Sequence, residues 1–156
     1  RMNMRRKEKE ITDNNILEEI LKHGEICRLA LVDHGIPYIV PVNYGYESGA
    51  LFFHSAREGR KIDILKSNNQ VCFEIETDVE IIRNSTACNW GMKYKSIIGY
   101  GKVEWIESNE EKIEGLNILM RQYSPENDFT YHSGALDNVL VFKIIIDKLS
   151  GKQSGY

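Results

Sequence analysis

The chain has 156 residues, of which 42% are hydrophobic and 28% are charged, and its formal net charge at pH 7 is -3. A chain of this length can bury one continuous core, so we expect a single domain over residues 1–156. The slightly acidic balance argues against a nucleic-acid partner, because binding to phosphate backbones requires a basic face. No apolar run approaches the roughly 20 residues that a membrane span requires, so we expect no membrane partner.

The N-terminal residues are charged and have no apolar segment behind them. We interpret residues 1–10 as a flexible extension and not as a secretory signal, which predicts a cytoplasmic protein. Cys27, Cys72 and Cys88 lie far apart and lack the close pairing typical of zinc sites. We therefore expect reduced thiols and no metal ion.

The first part of the chain predicts one helix and a meander of three strands. Residues 12–24 begin with a Thr-Asp capping pair, repeat apolar residues on one helical face and end in a glycine suited to the C′ position. Apolar strand patterns separated by short turn sequences follow at residues 26–32, 37–42 and 50–54. Residues 57–68 then change to helical spacing, which predicts a second helix.

The second part predicts further strands and two helical segments. A strand is expected at 71–76, a polar loop from Asp78 to Lys93, a long strand at 96–106, a capped helix at 108–123, a helical turn at 133–138 and a closing strand at 139–146. Two glycines in the long strand would permit a barrel corner. About six strands with hairpin-length connections favour an antiparallel sheet or small barrel over a parallel α/β fold.

The most informative segment is 53–61, where a predicted strand ends and a predicted helix begins among three cations. Helix N-terminal amides carry partial positive charge, and Arg60 and Lys61 in the first turn would add full charges, so this position could hold a phosphate. The alternative is a basic helix start that is simply solvated. His54 at the strand end could move a proton or hydrogen bond to a ring system, or it could be merely packed.

Two other positions leave alternatives open. Arg28 lies in an otherwise apolar strand, so its side chain either faces solvent or pairs with an anion. Trp90, Lys93 and Tyr94 cluster before the long strand, where they could cap a ligand or cover an edge of the core.

Four segments, in this order along the chain, resemble the pyridoxamine 5′-phosphate oxidase-like flavoproteins, and in particular the 5-nitroimidazole resistance branch. They are residues 27–31, residues 37–46, residues 54–56 together with 59–61, and residues 90–96. The resemblance implies a mainly β protein with peripheral helices, built as a six-stranded antiparallel split β-barrel of Greek-key type. It also implies a homodimer with FMN at the subunit interface.

The resemblance assigns residues to the flavin site in three groups. The first two strands would contribute mostly backbone contacts and shape, through Arg28, Leu29, Ala30, Val40, Pro41, Val42 and Asn43. The segment after the third strand would hold the phosphate and contact the flavin through His54, Ser55, Gly59, Arg60 and Lys61, with His54 as the catalytic candidate. Trp90, Tyr94 and Ser96 would approach the flavin, with the second subunit as an alternative source.

The resemblance further implies an FMN-dependent oxidoreductase in which a reduced nicotinamide reduces FMN and FMN reduces a nitroaromatic or similar small acceptor. Oxidation of pyridoxamine phosphate is not expected, because the C-terminal Trp and Arg motif that recognises this substrate has no counterpart after Val139. The alternatives are a non-catalytic flavin-binding or redox-sensing protein, and a barrel that binds haem or deazaflavin.

Overall fold

One antiparallel β-sheet runs through most of the molecule. The computed structural model describes residues 4–126 and 128–156. Its strands are β1 (Glu10–Ile11), β2 (Cys27–Asp33), β3 (Ile36–Val42), β4 (Gly45–Glu47), β5 (Ala50–Ala56), β6 (Gln70–Ile82), β7 (Gly91–Ile106) and β8 (Val139–Ser154). Six strands have seven residues or more, whereas β1 and β4 are short additions of two and three residues. The predicted mainly β fold with peripheral helices is confirmed.

Four α-helices lie around the sheet: α1 (Asn14–His23), α2 (Arg60–Ser67), α3 (Asn109–Tyr123) and α4 (Ser133–Asn138). The predicted caps hold two of them, since the Asp13 carboxylate accepts from the Asn15 N–H at 2.8 Å and the Ser108 hydroxyl accepts from the Glu111 N–H at 3.2 Å. These contacts satisfy N–H groups that have no partner within the helix.

The end of α1 differs from the prediction, because Gly24 does not adopt the left-handed conformation of a C′ glycine. Its φ is -62° and its ψ is 148°, which is extended backbone. A side chain at this position would collide with the Tyr44 hydroxyl and with Ile75. The glycine therefore allows close packing of α1 against the barrel, which sequence spacing alone did not show.

The order of strands explains why the sheet must curl. The strands follow the path β3-β2-β6-β7-β8-β5-β4, with β1 beside β8. β3 and β4 are the two ends of this path, yet only Asn43 and Tyr44 separate them in the chain. Three residue steps span about 11 Å at most, so the two edges of the sheet lie close together. No ladder joins β3 to β4 among the described residues, so the barrel is split.

Along β2, side chains that point into the core alternate with side chains on the outer face of the sheet. Cys27, Leu29 and Leu31 are buried inside the barrel, whereas Arg28 and Ala30 lie on the outer face. Two-residue turns connect β2 to β3 and β4 to β5, and both central residues of each turn have positive φ, as in a type I′ hairpin.

The largest departure from the sequence prediction is at residues 78–93, which were expected to form a polar loop. β6 continues to Ile82 and β7 already begins at Gly91, with Glu80 opposite Lys93 and Ile82 opposite Gly91. The register shifts between Thr77 and Glu80, around Asp78 with a φ of 56°. Residues 78–92 are all exposed. We call this projecting β-hairpin, residues 78–93, the arm.

The two ends of the chain are also more regular than expected. Lys7–Lys9 forms a 3-10 turn, and Glu10 and Ile11 pair with Lys152 and Gly151. The expectation of a flexible extension is therefore wrong for residues 7–10, while residues 1–3 lie outside the described part of the chain. β8 continues to Ser154, beyond the predicted end at residue 146, because β7 and β1 supply partners along its length.

Candidate functional site

The predicted phosphate segment forms a strand end followed directly by a helix start. β5 ends at Ala56 and α2 begins at Arg60, after Gly59 with a φ of 140°. Gly59 provides no side-chain cap, and its carbonyl accepts from the Asp63 N–H at 3.1 Å. The first N–H groups of α2 therefore remain open to an outside acceptor.

Lys61 lies at this helix start and has no counter-charge among the described residues. Its side chain is partly buried, and no described residue forms an ion pair or hydrogen bond with it. Burial lowers its pKa, because removing an ammonium group from water disfavours the charged form. A bound anion would compensate this charge.

His54 lies within electrostatic reach of Lys61. Burial is the larger cause that lowers the pKa of His54 from its ordinary value of 6.5, and the charge of Lys61 is the second. The imidazole is therefore neutral at pH 7, while the residue keeps substantial solvent exposure. A neutral imidazole can both donate and accept a hydrogen bond.

Arg60 has a different environment from its neighbour Lys61. Its guanidinium lies over the ring of Tyr38, 4.5 Å from the ring centroid, and so links α2 to β3. Tyr38 is a residue that sequence reasoning did not assign to the site, and no local pattern could have shown this contact between distant elements. We refer to His54, Ser55, Gly59, Arg60 and Lys61 together as the basic site.

Arg28 is paired with anions, which resolves the alternative that the sequence left open. Its Nη1 donates to Glu76 Oε1 at 2.9 Å and to Glu74 Oε1 at 3.2 Å. Burial, followed by the hydrogen bond and charge of Glu76, raises the pKa of Glu74 to about 7, although Arg28 opposes the shift. The positive charge of Arg28 is thus already neutralised, and Arg28 does not add to the basic site.

The other candidates on the first two strands offer mainly backbone and shape. Leu29 is 0% exposed in the core, and Val40 and Val42 pack against the core. Ala30 is partly buried and Pro41 is exposed, both on the outer face. Asn43 donates from Nδ2 to the Tyr123 hydroxyl at 3.3 Å. Because β3 is an edge strand, its free backbone groups along the split remain accessible within the described structure.

The remaining candidates for the flavin site, Trp90, Tyr94 and Ser96, lie on or beside the arm. Trp90 donates from Nε1 to the Asn84 carbonyl, and the Arg83 guanidinium lies 5.5 Å from its ring. Tyr94 is opposite Ser154, and Ser96 is opposite Glu76. No described contact within one chain joins these three candidates to the basic site.

A cleft of about 770 Å³ lies between α1 and the base of the arm. Arg28 is the one sequence-predicted site residue in its described lining. Four carboxylates, from Glu19, Glu25, Glu76 and Asp78, balance the cationic side chains there. This cleft therefore offers an anion little attraction, whereas Arg60 and Lys61 of the basic site have no carboxylate partner among the described residues.

Within residues 4–126 and 128–156, no group of three or more His, Cys, Asp or Glu side chains could hold a metal ion. In the same residues, no helix combines the length and apolar character needed to cross a membrane.

The family model for pyridoxamine 5′-phosphate oxidase matches residues 13–153. The chain belongs to this family. The predicted family is therefore confirmed over nearly the whole chain. A relative from Rhizobium meliloti, itself uncharacterised, is 26% identical over 107 residues; the match covers 66% of this chain and 64% of that protein.

Solved structures give the same result for the fold. A Bacteroides thetaiotaomicron protein, provisionally assigned to 5-nitroimidazole antibiotic resistance, is 37% identical with a TM-score of 0.83, covering 92% of this chain and 86% of that chain. An FAD and heme binding protein from Mycobacterium smegmatis is 20% identical with a TM-score of 0.84, and the match covers 95% of this chain and 74% of that chain. At 20% identity this second match supports the fold alone.

Proposed function

We propose that this member of the pyridoxamine 5′-phosphate oxidase family binds FMN and acts as an oxidoreductase that reduces nitroaromatic or similar small acceptors, with a reduced nicotinamide as electron donor. The observation that carries the proposal is Lys61, a partly buried cation without a partner, beside the open amides of α2. The 37% identity to the Bacteroides protein assigned to nitroimidazole resistance supports the choice of acceptor.

The basic site fits the phosphate of FMN on chemical grounds. A phosphate monoester is a compact anion with several acceptor oxygens, and it is favoured by helix N-terminal amides and by charge-assisted hydrogen bonds. Lys61 supplies an unpaired ammonium group and Ser55 a hydroxyl, while Arg60, held on Tyr38, adds positive potential. Both cations lie in the first turn of a helix, where the helix dipole disfavours them unless an anion binds.

The chain's own residues would bind and orient the reactants. When bound, FMN supplies the electron transfer to the acceptor. Lys61, Ser55 and the α2 amides hold the phosphate, and the backbone of β3 from Val40 to Asn43 lines the flavin along the open edge of the sheet. His54, neutral at pH 7, orients the acceptor through a hydrogen bond or passes a proton to it.

We further propose that the protein is a homodimer with FMN at the subunit interface. The outer face of the sheet exposes several large apolar side chains, and such patches usually mark an interaction surface. They are Val32, Ile39, Ile98, Tyr100 and Ile145. A second subunit would also account for Trp90, Tyr94 and Ser96, since its arm and the adjoining part of β7 could bring them to a basic site that they do not contact in their own chain.

The phosphate assignment is tested by titrating the protein with FMN and with riboflavin, which lacks the phosphate. In Lys61→Ala we expect FMN affinity to fall by about 10- to 100-fold, the value of one charged hydrogen bond, while riboflavin affinity stays the same. Lys22→Ala removes an exposed lysine from α1 and has the same net charge, so it is the matched control. Equal weakening of both ligands in Lys61→Ala would show that Lys61 does not bind the phosphate.

The proposed oxidoreductase activity requires a separate assay of the FMN-loaded protein with NADH or NADPH and a series of nitroaromatic acceptors. Turnover that is lost without FMN supports an oxidoreductase. Tight FMN binding without turnover of any acceptor would instead indicate the non-catalytic flavin-binding or redox-sensing alternative. Preferential binding of haem over FMN would contradict the cofactor proposal itself.

A further inference from the structure

A second cleft, of about 500 Å³, lies between α2, the start of α3 and the adjoining ends of β7 and β8. It shares no residue with the basic site in its described lining. Its apolar surface comes from Trp105, Ile106, Leu140 and Val141, and three cations surround this surface: Arg57, Lys66 and Lys112. We call it the α2–α3 cleft.

Lys112 is a buried cation that has only neutral partners. The residue is 6% exposed, and its Nζ donates to the Leu136 carbonyl at 3.1 Å and to the Val139 carbonyl at 3.3 Å. No carboxylate of the described chain pairs with it. An ammonium group has three N–H donors, so one remains unused. A buried charge without a counter-charge is costly, and an anion in the cleft would offset that cost.

The other two cations also lack a carboxylate partner. Arg57 donates from both Nε and Nη2 to the Asp137 carbonyl, which leaves three donors of its guanidinium free for a planar acceptor. Lys66 lies exposed in the last turn of α2. Glu107 is the one acidic residue in the described lining, and it forms no ion pair with these cations within 4.0 Å. The cleft is therefore positively charged.

The apolar surface of the cleft suits a flat organic group. Trp105 is partly buried, and its ring lies 5.4 Å from that of Phe142, which fixes its position against the core. An aromatic ligand could stack on the remaining exposed surface of Trp105. The volume of about 500 Å³ is within the range of small-molecule sites.

We infer that the α2–α3 cleft binds a small aromatic carboxylate, with its ring on Trp105 and its carboxylate among the three cations Arg57, Lys66 and Lys112. Planar guanidinium and carboxylate groups form paired hydrogen bonds, which is why this anion fits better than a neutral aromatic compound. This site is separate from the proposed FMN site, and the inference does not depend on FMN binding there.

The probe for the test is 4-fluorobenzoate, titrated into the full-length protein at saturating FMN and followed by fluorine NMR. Neutral 4-fluorobenzamide has nearly the same shape and reports the contribution of charge. We expect saturable 1:1 binding of the carboxylate and at least about tenfold weaker binding of the amide.

Variants place the bound probe in the cleft. Lys112→Met risks misfolding, because Lys112 also holds two carbonyls of the chain, so exposed Lys66 is the main test. Lys66→Ala should weaken 4-fluorobenzoate by about three- to tenfold, whereas Lys22→Ala should bind it as the wild type does. Equal affinity for the amide, or no saturable binding, would show that the cleft does not select a carboxylate and would overturn the inference. Weakening in Lys61→Ala in place of Lys66→Ala would place the probe in the basic site and overturn the inference.

Discussion

The interaction between His54 and Lys61 predicts how the basic site responds to pH. Burial and the Lys61 charge lower the pKa of His54 below 6.5, so in acid the unfolded chain takes up this proton before the folded protein does. The folded state therefore loses stability as the pH falls from 6.5 towards the pKa of the folded protein. Between about pH 7.5 and 5.5 we expect the free energy of unfolding, measured with urea, to fall less in His54→Asn than in the wild type.

The two causes of this shift can be separated by NMR titration of the imidazole. Lys61→Met should raise the pKa of His54 only in part, because burial is the larger cause and remains in the variant. Bound FMN should also raise it, since the phosphate would offset the charge of Lys61. A value above 6.5 in the flavin-free wild type would show that burial and the charge of Lys61 do not lower the pKa of His54.

The sequence could predict which side chains form the basic site, but not how each of them is held. Arg60 and Lys61 are adjacent and chemically similar, so they appear equivalent along the chain. The fold places one on Tyr38 and leaves the other without a partner. In the same way, the apolar neighbours of Arg28 gave no sign of Glu74 and Glu76, because that contact depends on the pairing of β2 with β6.

Strand prediction succeeded where one face of a strand is buried and failed where neither face is. In β2 the alternation of buried and outward residues is visible in the sequence. In the arm, both faces are exposed, and Ile81 and Ile82 are adjacent apolar residues that break the alternation started by Val79 and Glu80. A bulge at Asp78 breaks the period further. Only the pairing of β6 with β7 holds these residues as strands.

Gly99 and Gly101 of β7 were both expected to permit a bend. Gly101 does lie at the register shift opposite β8. A Cβ on Gly101 would overlap the Ile145 carbonyl and lie 2.6 Å from Ile144 Cγ2. Gly101→Ala should therefore destabilise the protein by about 1–3 kcal/mol in urea unfolding, as overpacking does elsewhere.

Gly91→Ala is the matched control for this substitution, because it lies in the same strand. The nearest atom to its added methyl group would be Ile82 Cδ1 at 3.5 Å, an ordinary contact. We expect a change within about 0.5 kcal/mol. If both variants were equally destabilised, the general loss of glycine from the strand, and not the contact with β8, would be the cause.

The outer face of the curved sheet exposes the five large apolar side chains named for the proposed dimer, and the Arg28, Glu74 and Glu76 cluster lies on the same face. The barrel core is already filled by residues from β2, β5, β6, β7 and β8, so these outer side chains are not needed to complete it. A stable interface of about 800 Å² per partner would cover most of such a face. Sequence reasoning predicted the dimer only through family resemblance, because outward apolar residues cannot be assigned to a face before the register of the strands is known.

The proposed dimer therefore predicts that a charge on this face separates the subunits. Ile39 is 64% exposed on β3, and Ile39→Lys would place an ammonium group in the interface twice, once from each subunit. We expect the dimer dissociation constant to rise at least about 100-fold in sedimentation velocity experiments, with weaker FMN binding if the partner's arm completes the site. Ile113→Lys, on α3 and 36% exposed, is the control and should remain dimeric. A wild-type protein that is monomeric at micromolar concentration, or an Ile39→Lys variant that stays dimeric, would show that this face does not join the subunits.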